Sequence, residues 1–200
     1  IPPSPLSRAE MLAELNLPAD VQLIGAVGRL WPQKNYKDLI WAAELLKVVR
    51  KDSHLLIIGE GPQRMQLLRW RDNLEIADRV HFLGHRDDVP ALLPHLSVYW
   101  IGSAYEGQSN GVMEAMSCGL PVVASDIPGN RDLVVDKETG YLFTVGDRAT
   151  LARVTNQLLD DPQLARSLGS AGRTRITQHF SVQQMVDRHT ALYQRLLGRS

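Results

Sequence analysis

The chain has 200 residues, of which 44% are hydrophobic and 22% are charged, which is ordinary for a globular protein. That length suits one domain with a substantial core, because two smaller domains would each bury little surface. The 22 basic and 22 acidic residues cancel, so the chain lacks the positive charge with which proteins usually bind nucleic acid, and we expect no nucleic-acid partner.

The cysteine content and the apolar runs bear on location. The single cysteine, Cys118, cannot form an internal disulfide and favours a reducing compartment. No apolar run approaches the roughly 18 residues of a membrane-spanning helix, and no signal peptide is visible. These features predict a cytoplasmic protein, although membrane association of a longer protein cannot be judged from this chain.

The first residues differ from the rest. The chain opens without methionine and has three prolines among its first five residues, a composition typical of an extended linker. We expect residues 1–18 to be a linker and lead-in from a preceding N-terminal domain, and residues 19–200 to form one domain. A processed N-terminus of a complete protein is the alternative.

Short apolar segments then alternate with helical patterns. Continuous apolar runs of this length are typical of strands buried on both faces of a parallel sheet; they cover residues 21–27, 55–58, 80–83, 98–101 and 121–124. Between them, apolar residues follow helical spacing over 39–49 and 113–118, more weakly over 65–74, with a short helix possible within 87–96. The alternation predicts a doubly wound, Rossmann-like α/β domain.

The last quarter of the chain contains only helical patterns. They cover residues 151–159, 164–176 and 182–197, and Ser181 is a plausible N-cap for the last of them. We therefore expect a helical C-terminal tail after the parallel sheet.

In a doubly wound sheet, ligands bind beyond the carboxyl ends of the strands, where the strand order reverses. With the common order, the first and fourth strands flank that crevice. The loop after the first strand contains Gly28, Arg29 and Lys34, and the loop after the fourth contains Glu106 and leads into a helix that carries Glu114. Two cations therefore face two carboxylates across the predicted crevice.

This combination of groups suits a nucleotide sugar. Arg29 offers a planar fork and Lys34 a mobile charge for phosphate oxygens. Backbone amides at the helix start, residues 109–111, would add donors with the positive end of the helix dipole. Glu106 and Glu114 can accept from sugar hydroxyls. The alternative is that the two cations are solvated loop charges, Glu106 is a surface residue and Glu114 is a helix-dipole partner.

At these residues the sequence resembles the retaining glycosyltransferases of family 4, which have the two-domain GT-B fold. The segment from Glu106 to Glu114 is similar to the family signature of two glutamates separated by seven residues. Further similarity lies in residues 28–30 with 34–35, 59–62, 80–84 and 115–126. The likeness extends over roughly residues 17–197, the length of the family's C-terminal domain.

The resemblance implies that this domain holds the donor, a nucleotide-diphosphate sugar. Arg29 and Lys34 would clamp the diphosphate, Glu106 would accept from the donor sugar and Glu114 from the ribose; Arg29, Lys34 and Glu106 are the expected catalytic residues. Other donor contacts, several of them through the main chain, are implied at Gly28, His85, Arg86, Gly107, Gln108, Ser109, Asn110 and Gly111.

The family likeness also sets expectations for the whole protein. It implies retention at the anomeric carbon, no metal and no cofactor, and an acceptor held by the missing N-terminal domain, which the last helix reaches back to contact. The alternative role of that helix is to cover the edge of the sheet. The isolated chain should then have little activity.

Three departures from the family pattern leave the donor sugar open. Gln108 stands where many relatives have a large aromatic or aliphatic residue, Pro128 where glycine is frequent, and Asp132 where glutamate is common. No role for Trp31 follows from the pattern. Two other functions remain as alternatives: a sugar-nucleotide epimerase of similar build, and a non-catalytic nucleotide-sugar-binding module. The base and the acceptor are also open.

Overall fold

The computed structural model describes residues 7–198. Its centre is a six-stranded sheet in the order β3-β2-β1-β4-β5-β6, and every neighbouring pair of strands is parallel. The strands are β1 (Gln22–Val27), β2 (Ser53–Ile58), β3 (Val80–Gly84), β4 (Val98–Ile101), β5 (Val122–Ser125) and β6 (Tyr141–Phe143).

Helices precede, connect and follow these strands. They are α1 (Arg8–Glu14), α2 (Tyr36–Val49), α3 (Arg64–Asn73), α4 (Val89–Leu92), α5 (Asn110–Ser117), α6 (Pro128–Arg131), α7 (Arg148–Asp160), α8 (Pro162–His179) and α9 (Val182–Leu196). Single 3-10 turns occur at Pro32–Lys34 and Leu93–His95.

The strands supply two cores, one on each face of the sheet. Ile24 and Ile57 point to the face covered by α2, α3 and α7. Leu23 and Leu56, their neighbours along the strands, point to the face covered by α1, α4 and α5. Because both faces are covered, the strands are almost continuously apolar, as parallel strands usually are. The predicted doubly wound α/β fold with a helical tail is confirmed.

The strand order reverses between β1 and β4, which are hydrogen-bonded neighbours. From β1 the chain passes into α2 on one face, and from β4 it passes into α5 on the other. The two loops therefore separate at the carboxyl edge of the sheet and leave a crevice between them, as the sequence predicted.

Helix α1 occupies part of the segment expected to be a linker. Residues 1–6 of that segment lie outside the described residues. Ser7 and Glu10 form a capping box, and Met11 and Leu12 are buried in the core under α1. The Arg8 guanidinium donates to the carbonyl oxygens of His95 (2.7 Å) and Val21 (2.5 Å). Residues 8–14 therefore pack as part of the domain, because burial of their apolar face stabilises the helix on the sheet. The position of the domain boundary stays a prediction.

Two short elements were not anticipated. Strand β6 has three residues and α6 has four, so neither is long enough to produce a recognisable periodicity. Strand β6 pairs with β5 and completes the sheet. Helix α6 follows β5 directly and lies at the carboxyl edge, next to the crevice.

Candidate functional site

A cavity of about 560 Å³ opens at the carboxyl ends of β1 and β4. It is walled by the loop after β1, the loop after β4 and the first turns of α5. Most of the residues predicted from the sequence line it together: Gly28, Arg29, Lys34, Glu106, Gln108, Ser109, Asn110, Gly111 and Glu114.

The loop after β1 is held in place by a close backbone contact with the loop after β2 and by a buried tyrosine. Gly59 has φ +140°, and a Cβ atom there would lie 2.0 Å from the carbonyl oxygen of Gly28, so only glycine allows the two loops to meet. The Tyr36 hydroxyl donates to the same carbonyl oxygen at 3.1 Å. Burial, with smaller contributions from Tyr99 and Glu106, raises the pKa of Tyr36, which keeps the hydroxyl neutral and able to donate. These contacts fix the backbone at the start of the loop that carries Arg29 and Lys34.

Lys34 and Glu106 contact each other across the cavity. The Lys34 Nζ atom is 2.5 Å from Glu106 Oε1. The Ser103 hydroxyl donates to the same oxygen at 2.6 Å. The Lys34 and Glu106 side chains are 21% and 10% exposed, so the pair is partly shielded from bulk solvent but borders the open cavity. Any anion that binds Lys34 must compete with the Glu106 carboxylate.

The start of α5 contributes backbone donors and a carboxylate. Ser109 is the N-cap, and its side chain accepts from the amide of Val112. The amides of Asn110 and Gly111 belong to the first turn, where backbone N–H groups lack partners within the helix and the dipole is positive. Glu114 follows one turn later in the cavity wall, and desolvation raises its pKa. This wall can therefore bind an anion at one end and hydroxyl groups at the other.

Three predicted residues do not line the cavity. The carbonyl of Gly107 packs against α6. His85 is exposed beyond β3, with Nε2 3.1 Å from Asp87. The Arg86 side chain turns towards α1 and pairs with Asp88 and Glu14, and these hydrogen bonds raise its pKa. The main-chain contacts predicted at these positions stay predictions.

Other side chains at the cavity had no predicted role. Trp31 lines it and is 50% exposed. Gln33 ties the two loops together: its side chain donates to the Tyr105 carbonyl at 3.2 Å, and its own carbonyl accepts from the Ala104 amide at 2.8 Å. Both residues lie within the stretch that was identified from Gly28, Arg29 and Lys34, but a lone tryptophan or glutamine carries no motif of its own.

The part of the chain from residue 7 to residue 198 contains no group of three or more His, Cys, Asp or Glu side chains placed to hold a metal ion. None of its helices is both long enough and apolar enough to cross a membrane.

Residues 7–175 match the family model described as "Glycosyl transferases group 1". The chain is 32% identical over 160 residues to N-acetyl-alpha-D-glucosaminyl L-malate synthase of Bacillus anthracis, covering 80% of this chain and 42% of that protein. It is 31% identical over 193 residues to the putative glycosyltransferase EpsD of Bacillus subtilis, covering 95% of this chain and 51% of that protein. The chain thus spans about half the length of the curated relatives that it matches.

The fold is also shared with solved structures. The chain superposes on HepE from Anabaena, solved in complex with UDP-glucose, with a TM-score of 0.85 and 28% identity. The similarity covers 94% of this chain and 53% of that one. As with the curated relatives, about half of the longer protein corresponds to this chain.

Proposed function

Because the chain belongs to the group 1 glycosyl transferases, we propose that it is the part of such an enzyme that binds a nucleotide-diphosphate sugar. The enzyme transfers this sugar, with retention, to an acceptor held elsewhere in the full-length protein. The observation that carries the proposal is the cavity between β1 and β4, where two cations, a helix N-terminus and two carboxylates face one space. The binding of UDP-glucose by HepE supports it.

In this proposal the diphosphate lies between the two loops. Arg29 binds it with its planar fork, and Lys34 exchanges the Glu106 carboxylate for a phosphate oxygen. The amides at the start of α5 add donors that are already oriented. Glu114 accepts from the ribose hydroxyls, and Glu106 accepts from a hydroxyl of the donor sugar.

These groups also account for the chemistry of transfer. When the bond from the sugar to the diphosphate breaks, negative charge develops on the departing diphosphate and positive charge on the sugar. Arg29, Lys34 and the α5 amides stabilise the departing charge without a metal ion or a cofactor. Retention is inferred from the resemblance of residues 106–114 to the signature of the retaining enzymes. The single cysteine is in keeping with a cytoplasmic site for the reaction.

The acceptor is assigned to a preceding domain, since the chain corresponds to about half of its relatives. Helix α9 supports this assignment. Among its apolar residues, Val182 is 73% exposed and Leu196 is 74% exposed, a large uncovered face for the end of a globular domain. We propose that this face packs on the preceding domain and that the 200-residue chain alone does not catalyse transfer.

The proposal is tested by calorimetric titration of the chain with UDP, GDP and ADP. We expect one nucleotide to bind selectively, with a Kd of roughly 10 μM to 1 mM. Arg29→Ala removes a charged donor and should weaken binding by roughly 10- to 100-fold, and Glu114→Ala should weaken it by at least about 5-fold. Arg69→Ala, which removes an exposed arginine from α3, is the matched control and should bind like the wild type.

Three results would count against the proposal. A folded chain that binds none of the three nucleotides at millimolar concentration has no donor site. Equal weakening by Arg29→Ala and Arg69→Ala would reduce the role of Arg29 to general charge. Efficient sugar transfer by the 200-residue chain would disprove that the acceptor domain is needed. With a full-length protein, conversion of a nucleotide sugar without any acceptor would instead favour the epimerase.

A further inference from the structure

A chain of hydrogen bonds runs from α6 to the Glu106 carboxylate, and all but its last link are buried. The Asn130 amide donates to the Ser125 carbonyl at 2.9 Å and to the Ser125 hydroxyl at 3.1 Å. The Ser125 hydroxyl donates to the Ser103 carbonyl at 2.6 Å, and the Ser103 hydroxyl donates to Glu106 Oε1 at 2.6 Å. Ser103, Ser125 and Asn130 each have 0% exposure. The ends of β4 and β5 are thereby joined to a side chain in the cavity.

Both donors to Glu106 use the same oxygen. Lys34 Nζ and the Ser103 hydroxyl each donate to Oε1, and within the described chain no hydrogen bond is found to Oε2. In the proposed donor complex Lys34 leaves Oε1 for a phosphate oxygen, so Ser103 alone keeps Oε1 in place, and Oε2 can accept from a hydroxyl group of the sugar. Lys34 reaches Glu106 through a long flexible stem, whereas Ser103 is short and fully buried, so Ser103 supplies the more rigid constraint.

Helix α6 also touches the Glu106 loop directly. A Cβ atom on Gly129 would lie 1.7 Å from the Gly107 carbonyl oxygen and 2.6 Å from that of Glu106. The backbones of α6 and of the loop are therefore in close contact, which only a glycine at this position permits. The loop is fixed by this contact as well as by the hydrogen bonds.

The burial of Asn130 is not explained by stability alone. Its Oδ1 atom is buried and has no hydrogen-bond partner among residues 7–198. A buried polar atom without a partner is unfavourable. The cost of the unpaired oxygen is offset if the donors on the same amide hold Ser125, and through it Ser103, in place.

We propose that Ser103, supported by Ser125 and Asn130, is the positioning residue that fixes Glu106 for recognition of the donor sugar. This inference rests on the proposed function, in which Glu106 accepts from a sugar hydroxyl. Ser103 does not line the cavity, so it acts through Glu106 and has no contact with the ligand. Its loss should impair recognition of the sugar while leaving recognition of the nucleotide diphosphate intact.

The test compares binding of a nucleotide sugar with binding of its parent nucleoside diphosphate. The wild type is first titrated with UDP-glucose, UDP-galactose, UDP-N-acetylglucosamine, GDP-mannose and ADP-glucose, and the tightest of these is used with its parent. For Ser103→Ala we expect the ratio of the two Kd values, sugar conjugate over parent, to rise about 3- to 10-fold, the loss typical of one hydrogen bond. The Kd of the parent should change less than about 2-fold.

Matched variants separate positioning from folding. Ser117→Ala removes a hydroxyl that donates to the Met113 carbonyl in α5, away from the Glu106 oxygens, and should leave the ratio unchanged. Ser125→Ala should raise it by a smaller factor, and it decides the question if Ser103→Ala fails to fold. In the Glu106→Ala background, Ser103→Ala should have no further effect on the ratio, because the side chain that it positions is absent.

The possible results are distinct. Equal weakening of both ligands by Ser103→Ala would show a purely structural role and overturn the inference, as would an unchanged ratio. A full effect of Ser103→Ala in the Glu106→Ala background would overturn it too. A wild-type chain that binds no nucleotide at all would refute the proposed function, and the inference with it. A wild type that binds the nucleotide while Ser103→Ala leaves the ratio unchanged refutes the inference alone.

Discussion

Removal of the Glu106 charge should strengthen binding of a nucleoside diphosphate. The carboxylate pairs with Lys34, with Glu106 Oε1 2.5 Å from Lys34 Nζ. A phosphate oxygen that binds the same ammonium group must displace the carboxylate or lie beside it. Glu106→Gln keeps the shape of the side chain and removes the competing charge. It should therefore release Lys34 for the diphosphate, although the same change removes an acceptor for the sugar.

The size of the effect follows from the geometry of the pair. A phosphate oxygen about 2.8 Å from Lys34 Nζ would lie about 4–5 Å from Glu106 Oε1, since that oxygen is 2.5 Å from the same nitrogen. At this distance two unit charges in a partly wet cavity, with an effective dielectric constant of about 40–80, repel by about 1–2 kcal/mol. This corresponds to roughly 5- to 30-fold tighter binding of the diphosphate.

The assay is calorimetric titration of wild type and Glu106→Gln with the preferred nucleoside diphosphate at low ionic strength. Glu138→Gln is the control, because it removes the same charge from an exposed position in the loop that precedes β6, at the opposite edge of the sheet. The gain should shrink as salt is added. Unchanged or weaker binding by Glu106→Gln would refute the reasoning, since it would mean that the carboxylate orients Lys34 more than it competes for it.

The packing of the domain gives three further predictions. Met11→Ala should lower the free energy of unfolding by about 2–4 kcal/mol in denaturant, since the Met11 side chain of α1 is 1% exposed. A loss below about 0.5 kcal/mol would mean that α1 is a linker that does not contribute to the core. Gly129→Ala should lower the melting temperature and weaken nucleotide-sugar binding, because the new Cβ would meet the Gly107 carbonyl oxygen at 1.7 Å; wild-type values for both would contradict the proposed contact. The third concerns His54 and His81, whose ring nitrogens are 3.0 Å apart: desolvation and the neighbouring His54 lower the pKa of His81 from 6.5 to about 4. Below about pH 6.5 the unfolded chain protonates His81 while the folded chain keeps it neutral, so the free energy of unfolding falls as the pH is lowered towards 4. The loss should be about 1–3 kcal/mol after allowance for the partial exposure of His81, and the stability is fully present above about pH 6.5. His81→Asn should flatten the dependence of unfolding free energy on pH over that interval.

The fold was predictable wherever burial leaves a repeating signal. Strands such as β1 and β2 are apolar on both faces, so each appears as a continuous run bounded by glycine. The short elements β6 and α6 leave no such signal. Helix α1 was obscured by the prolines that precede it, although its capping box, Ser7 with Glu10, and its adjacent apolar pair were present in the sequence.

The site was predictable to the extent that its residues are chemically unusual in combination. Two cations and two carboxylates at the ends of two strands led to the cavity, and most of the predicted residues line it. The supports behind them were not predictable. Ser103, Ser125 and Asn130 are common residue types, and their partners include main-chain carbonyls up to 22 residues away in the sequence. Nothing in a sequence pattern indicates that the Ser125 hydroxyl reaches the Ser103 carbonyl.

The close contact between Gly129 and the loop at Glu106 and Gly107 bears on how the family could be recombined. If the stretch of residues 103–111 contacts the donor as proposed, an attempt to exchange donor preference between relatives would begin by transplanting it. In this protein the shape of that stretch depends on a separate one, residues 125–130, which touches it through backbone and buried side chains. In a chimera that carries only the first stretch, the transplanted glutamate would lose the packing and hydrogen-bond partners that fix it in its parent protein. The two stretches depend on each other structurally and should therefore be exchanged together.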